Sequence, residues 1–459
     1  MAIVMSALLF MGQAGAYEIL NGPSQLIQYN ASKAYEGYTL LTHGADKKSY
    51  LIDMVGNVVH TWDHSPRTPG LNCVLLENGN LLGGYRLPPK EVGKVFLPLG
   101  GRTGGLVELD WDGNVVWQFE LSSDTEILHH DFVRLPNGNT LTNSWEHIPY
   151  DEAIKAGRRE DQTTRLGVVS DVIYEINPEG KIVWKWRAWD HRGTNSKVKL
   201  DINFITYVLP EYPHENQDWT HFNAVDYDPV SDRILVSSRE FGEFYIIDHK
   251  NGDILYRWGN PSAYSNGDPP TFSTQGDQKL FGPHDAHFIK PGLPGEGNIM
   301  IFNNGWGRSP ITYSSIVEMN PETGDILWEY KSKAETSFAA HHVSGAQRLP
   351  NGNTLICSGI AGHLFEATSK GEIVWEYINP LTNSGAKNWI EDAEFPPTGP
   401  DANILFRAYR YGQNNPALKE RSLKPRGQIA EDLKEGWKPK VDLTGATQPG
   451  VELWKKIWE

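Results

Sequence analysis

Residues Gly180 to Trp186 read G-K-I-V-W-K-W. The pattern is a glycine, a polar residue, two β-branched or aliphatic residues, then aromatics at every second position. It recurs from Gly56 (G-N-V-V-H-T-W), Gly113 (G-N-V-V-W-Q-F), Gly252 (G-D-I-L-Y-R-W), Gly324 (G-D-I-L-W-E-Y) and Gly371 (G-E-I-V-W-E-Y). The glycine and its polar neighbour suit a tight hairpin, and a period of two puts the aromatics on one face of a strand. A partner strand lies upstream, for example Val172 to Asn177 (V-I-Y-E-I-N) or Ile316 to Asn320 (I-V-E-M-N). A second pattern alternates with the first. L-P-N-G-N-T-L begins at both Leu135 and Leu349, and L-E-N-G-N-L-L begins at Leu76. Looser turns hold the same place at Tyr227 to Leu235, Pro291 to Met300 and Pro396 to Leu405. Asn-Gly between apolar runs is a hairpin signal.

Two hairpins alternating six times predict an all-β chain: a single six-bladed β-propeller with four-stranded antiparallel blades. A ring protects sheet edges that an open row would expose. The order also favours closure. The chain enters near Gly37 in mid-unit and ends with Asn403 to Tyr411 (N-I-L-F-R-A-Y-R-Y), which no glycine–aromatic strand follows. C-terminal strand material is therefore expected to complete the blade begun by Tyr50 to Trp62. It can donate one strand or two, because Gly37 to His43 competes for the same place. The expected organisation is a lead-in over residues 17–36, the propeller over 37–418 and a charged surface strap over 419–459 bearing Trp437, Trp454 and Trp458.

Composition narrows the class. The 459 residues carry a formal charge of −15, which disfavours a phosphate backbone as partner and argues against nucleic acid. The 45 glycines, 29 prolines, 16 tryptophans and 19 tyrosines suit short strands, tight turns and an aromatic core. Cys73 and Cys357 are the only cysteines, so there is no disulfide scaffold and no cysteine-ligated metal. They fall in non-neighbouring units and are not expected to pair. Ala2 to Met11 is apolar, and Ala14-Gly15-Ala16 offers a signal-peptidase site, so residues 1–16 read as a signal peptide. The alternative is a buried or disordered N-terminal tail, since the segment lacks the usual leading Lys or Arg. It is too short to span a bilayer, and no later segment is apolar enough to do so.

With strands A to D counted outward from the channel, the start of A and the B–C turn lie at the same end of a blade. His130, His221 and His284 each sit near the start of an A strand. Arg308 (N-N-G-W-G-R) and His363 (S-G-I-A-G-H-L-F-E) each follow a B strand. All five converge on one mouth of the channel, where propellers commonly bind ligands. A lone histidine at a strand start usually just satisfies a carbonyl, but the convergence points to a site. His129, His341 and His342 double up beside mouth positions and are second-rank candidates. His43, His60, His64, His147, His191, His214 and His249 lack this registration and read as surface or structural. Trp184, Trp328 and Trp375 read as blade core. Arg86 to Arg102 and Arg187 to Asp218 follow no repeat and are candidate lids; the second carries Trp189, Tyr207 and Tyr212.

A neutral imidazole is a nucleophile near pH 7 and can form a covalent intermediate. Arginine and further histidines supply positive charge and donors to an anionic group in flight. The set suits sulfuryl or phosphoryl transfer. There is no phosphate-binding loop and no dinucleotide fingerprint; Gly292 to Gly297 lies in a hairpin with no helix after it. No cofactor is called for. Two rivals stand beside catalysis: a binding-only propeller holding an anion or sulfated glycan, and a histidine-ligated metal site, against which Arg308 argues.

Over Gly37 to Leu418 the chain resembles the bacterial arylsulfate sulfotransferase family. The carrying segments are Gly37 to Leu41 (G-Y-T-L-L), Ser49 to Trp62 (S-Y-L-I-D-M-V-G-N-V-V-H-T-W) and Asp218 to Asp228 (D-W-T-H-F-N-A-V-D-Y-D). Pro283 to Ala286 (P-H-D-A), Phe302 to Arg308, Gly359 to Glu366 and Phe406 to Tyr411 (F-R-A-Y-R-Y) extend the match. The resemblance implies sulfuryl transfer from an aryl sulfate donor to a phenolic acceptor, ping-pong, in the periplasm or outside the cell, without a nucleotide donor. It implies that His363 is the residue transiently sulfated, and that His221, His284 and Arg308 hold the sulfuryl oxygens. His287, three residues on in P-H-D-A-H-F, is the alternative to His284.

Overall fold

The computed structural model describes residues 22–193, 198–204, 217–390, 402–430 and 438–458. Residues 1–16, read above as a signal peptide, lie outside them, as do Tyr207, Tyr212 and Trp437. Six blades form a ring. Blade I holds strands Tyr409–Gly412, Gly37–Thr42, Lys48–Ile52 and Val58–Asp63, in order from the axis outward. Blade II holds Thr68–Leu75, Leu81–Arg86, Gly104–Leu109 and Val115–Glu120. Blade III holds Glu126–Arg134, Thr140–Ile148, Val168–Ile176 and Ile182–Arg187. Phe222–Asp228, Arg233–Ser238, Glu243–Asp248 and Ile254–Trp258 make blade IV. His284–Phe288, Ile299–Asn303, Ser315–Met319 and Ile326–Tyr330 make blade V.

Blade VI begins with Gly345–Arg348, Thr354–Ser358, His363–Ala367 and Ile373–Ile378 and then gains two more strands. Gln25–Asn30 pairs antiparallel with its outer strand, and Lys440–Asp442 pairs parallel with Gln25–Asn30. The lead-in and tail thus cover one outer edge. The tail also crosses blade I, where Val58 N–H donates to Gly427 and Arg426 N–H to Val58. Ring closure uses one C-terminal strand, in register Gly37↔Gly412 to Leu40↔Tyr409. Gly37–Thr42 is therefore the second strand of blade I.

Local sequence explains the turns. Gly252 has φ +79°, which a side chain disfavours, and its N–H closes the turn onto Asp248 O at 2.8 Å. The register then slips by one residue between Ile246 and Ile247, a bulge that strengthens the twist. Gly138 at φ +87° does the same work in L-P-N-G-N, where Leu135 N–H meets Asn139 O at 2.8 Å.

The repeated aromatics join the blades. Trp62 Nε1 donates to Asp110 O, Trp186 to Gly252 O, Trp258 to Gly324 O, Trp328 to Ser369 O and Trp375 to Met54 O, at 2.8–3.2 Å. In each case an outer-strand indole reaches the C–D turn of the next blade. A buried indole keeps its large apolar area only if its N–H finds an acceptor, and the neighbouring turn supplies one. A second staple runs through the third strands. Glu318 accepts Asn298 Nδ2 from its own blade and Arg348 Nη2 from the next, at 2.6 and 2.5 Å. Glu108 takes Asn80 and Arg134, and Glu366 takes Asn353 and Arg410, in the same way.

Candidate functional site

The A strands of blades III to VI are irregular at one end. His130 and His221 have φ of +51° and +48°, and Asp285 and Val343, each following a histidine, have +55° and +53°. Residue pairing slips at the same places, between Leu128 and Phe132, Phe222 and Ala224, and His284 and His287. Left-handed backbone is costly for such residues and clusters where a side chain must be re-aimed. Here it turns His130, His221, His284 and His342 into one mouth of the channel.

The four rings form a cluster. His130 and His221 lie 4.7 Å apart, ring centre to ring centre, nearly edge-on. Phe406, delivered by the closing segment, is 5.9 Å from His130 and 6.5 Å from His284. Arg239 adds the positive charge felt by His221, His284 and His342, and its Nη1 pairs with Glu240.

The rings carry different charge. Burial works against protonation of His221, yet the Asp218 carboxylate on its Nδ1 outweighs that and holds the ring above the ordinary imidazole value. Its Nε2 is then an N–H donor. His284 lies well below that value, because burial is joined by the charge of His221 and Arg239. Its tautomer is fixed. Asn304 Nδ2 donates to Ala340 O and Val343 O at 2.6 and 3.0 Å, so Asn304 Oδ1 can only accept, and His284 Nδ1–H donates to it at 2.8 Å. Nε2 of His284 is left with a lone pair. Burial and Arg239 push His342 down to about 4, and burial alone does the same for His341, which packs on Trp306. His130 also falls well below the ordinary value through burial and the neighbouring histidines.

The remaining candidates have other neighbours. His363 opens the third strand of blade VI, with Nε2 2.9 Å from Glu376 Oε1 and its ring 4.8 Å from Phe365. Arg308 lies flat on Tyr313 at 4.1 Å and near Phe281 at 5.3 Å, and burial lowers it. His287 faces the other way, into a cavity of about 320 Å³ lined by Phe132, Val225, Phe288 and Leu293 at the far side of the channel. Between that cavity and the cluster, Arg407 binds Asp131 and Asp285 across the axis. His129 is buried behind His130, stacked on Trp145. Among the described residues no group of three or more His, Cys, Asp or Glu is arranged to hold a metal ion, and no helix is long and apolar enough to cross a membrane.

Sequence reading passed over Arg239, Asp218 and Asn304 as site residues. Arg239 had a signal: in S-S-R-E-F-G it follows strand B of blade IV, the register that singled out Arg308 and His363. Of the lid candidates, Gly101 rests on the His130 ring, where a Cβ would lie 2.0 Å from it. Trp189 is buried against Trp219, within the core rather than over the mouth.

Comparison with known proteins finds similarity at low identity. A protein of unknown function from Bacteroides caccae is 15% identical with a TM-score of 0.45, over 74% of this chain and 93% of its own. A virginiamycin B lyase from Staphylococcus aureus is 11% identical with a TM-score of 0.36, over 78% of this chain and 90% of its own. Among curated proteins, arylsulfate sulfotransferase AssT of Escherichia coli O6:H1 (strain CFT073) is 24% identical over 310 residues, 56% of this chain and 49% of the relative. The chain thus spans about half the length of that relative. The family model for arylsulfotransferase (ASST) matches residues 24–390, and the chain belongs to that family.

Proposed function

We propose that this protein moves a sulfuryl group from a phenolic sulfate ester to a phenolic acceptor by a ping-pong route through a sulfated histidine. The observation that carries the reading is the cluster of His130, His221, His284 and His342 with Arg239 in the channel mouth of a chain of this family. A histidine nitrogen attacks sulfur, the S–O bond to the aryl group breaks, and the phenolate leaves. The acceptor phenol then attacks the sulfuryl–histidine and gives up its proton. Throughout, the sulfuryl oxygens carry negative charge, and preorganised donors aimed at that charge lower the barrier. Protonated His221 and Arg239 supply such donors, with Arg308 as the further guanidinium implied by the family resemblance.

His363 is the proposed nucleophile. Glu376 Oε1, 2.9 Å from Nε2, orients the ring. A second reading rests on Asn304, which gives His284 a bare Nε2 inside the cluster. Rapid quench with donor alone, followed by peptide mass spectrometry, separates the two. An adduct on the His363 peptide supports the first, and one on the His284 peptide the second. In turnover, a chromogenic aryl sulfate should release phenol faster once an acceptor phenol is added. Absence of release with every acceptor overturns the activity. The apolar N-terminus with its A-G-A site supports a periplasmic or secreted location.

A further inference from the structure

His129 is buried, does not face the channel, and is tied to two partners. Its Nε2 stands 2.9 Å from Asp171 Oδ1, within ion-pair distance though out of hydrogen-bond alignment, and neither atom has a hydrogen-bond partner among the described residues. Its Nδ1 stands 2.8 Å from Nδ1 of His130. Thr220 Oγ1 donates to Asp171 Oδ2 at 2.5 Å, and the His129 ring stacks on Trp145 with centres 4.0 Å apart. A histidine needed only for packing has no use for a buried carboxylate on one nitrogen and an active-site ring on the other.

We propose that Asp171, His129 and His130 form a proton relay that lends a proton to the departing phenolate and takes it back from the acceptor phenol. The proposal rests on the sulfuryl-transfer reading above. Two facing ring nitrogens at 2.8 Å share one proton, so what His130 Nδ1 gains His129 Nδ1 loses. The proposed cycle starts with both ring protons on His129, beside Asp171, and with the proton of His130 on Nε2. When the S–O bond breaks, Nε2–H of His130 passes to the phenolate oxygen, and Nδ1–H of His129 moves across to His130. The relay has then lost one proton and holds two neutral rings. In the second half-reaction the acceptor O–H gives its proton to His130 Nε2, and the one on Nδ1 returns to His129. Protons balance over the cycle, and no co-reactant is needed.

The division of labour follows from what surrounds each ring. His130 faces His129, His221, His284 and Arg407, all basic, so a lasting positive charge there is unfavourable. His129 faces Asp171, Thr220 and His130, so the charge is held one residue back, next to its counter-ion. His130 is the group that meets substrate; His129 and Asp171 act through it as positioning residues.

Leaving-group dependence tests this. A nitrophenolate leaves without help, whereas an unactivated phenolate needs a proton. Asp171→Asn should slow transfer from phenyl sulfate by roughly 10²-fold, the typical size of general-acid assistance, while single-turnover release from 4-nitrophenyl sulfate falls far less. Equal losses with both donors, or no loss with either, overturn the relay. If Asp171→Asn does not fold, Thr220→Val loosens the same carboxylate by removing one hydroxyl and should give the same selective loss. If the wild-type protein releases phenol from neither donor, the sulfotransferase reading fails instead. The relay is then read from ¹⁵N spectra of the histidine rings: a doubly protonated His129 that Asp171→Asn abolishes supports it, and a singly protonated His129 in the wild type overturns it.

Discussion

His221 and His284 share one cavity and are held in opposite protonation states by their second nitrogens. Asp218 keeps the first charged against burial, and Asn304 keeps the second neutral with its lone pair outward. Replacing Asp218 by Asn removes the main influence that raises His221 and leaves only the weaker one of Glu240, so burial then prevails and the ring is neutral at pH 7. If charged His221 steadies the sulfuryl oxygens, the basic limb of the kcat/KM profile should move to lower pH. At pH 7.5 the rate should fall about 10²-fold, as when one preorganised donor is lost. An unmoved basic limb in Asp218→Asn shows that another group sets it. The histidines themselves were legible as residues before an A strand, because the propeller register sorts such positions by face. Their partners were not. Asp218 and Asn304 act through a loop and through the neighbouring turn, and single-sequence periodicity carries no sign of either contact.

At the scale of the blade, the repeats announced the hairpins because they are also the joints between neighbours: in five of the six blades an outer-strand indole ends on the next blade's turn. The edge strands Gln25–Asn30 and Lys440–Asp442 escaped notice for the converse reason. They belong to no repeat and pair only because blade VI leaves an edge for them. The A-strand bulges were equally unreadable, since left-handed His130 and His221 defy local preference and exist for the site. Blade I differs from its neighbour in acid sensitivity. Burial pushes His43, His60 and His64 down to about 4, whereas blade II contains no histidine. A histidine lowered in the fold binds its proton only in the unfolded chain over that range. The stability it lends is therefore whole above pH 6.5 and drains away as pH falls toward 4. The slope is about 1.4 kcal/mol per pH unit for each fully deprotonated ring. Hydrogen exchange followed from pH 7 to pH 4.5 should show blade I amides losing protection before those of blade II. Simultaneous loss in both blades argues that the ring opens only as a whole.

Across the whole molecule one guanidinium sits where the blades meet. Arg407 Nη1 holds Asp131 of blade III at 2.7 Å, Nη2 holds Asn223 O of blade IV at 3.0 Å, and Nε stands 3.0 Å from Asp285 of blade V. Asp131 also takes Asn72 of blade II and Val225 N–H, and Asp285 takes Ala346 N–H of blade VI. The residue arrives on the segment that closes blade I, so the last part of the ring to be placed locks the rest. Two buried carboxylates face it, and burial already raises Asp285 even with Arg407 beside it. Arg407→Leu strands both charges. Removing one partner from such a buried pair costs about 3–5 kcal/mol. The diagnostic feature is the sign of the pH response. In the variant Asp285, which burial already raises, prefers the proton in the fold more than in the unfolded chain, so its contribution is full below about pH 4 and is lost as pH rises through the raised folded value. Relative to the wild type, which weakens as its buried histidines meet acid, the variant's deficit should shrink as pH falls from 7 to 5, measured by urea unfolding at each pH. A deficit that stays constant over that range means that Arg407 closes the ring by packing and hydrogen-bond geometry alone.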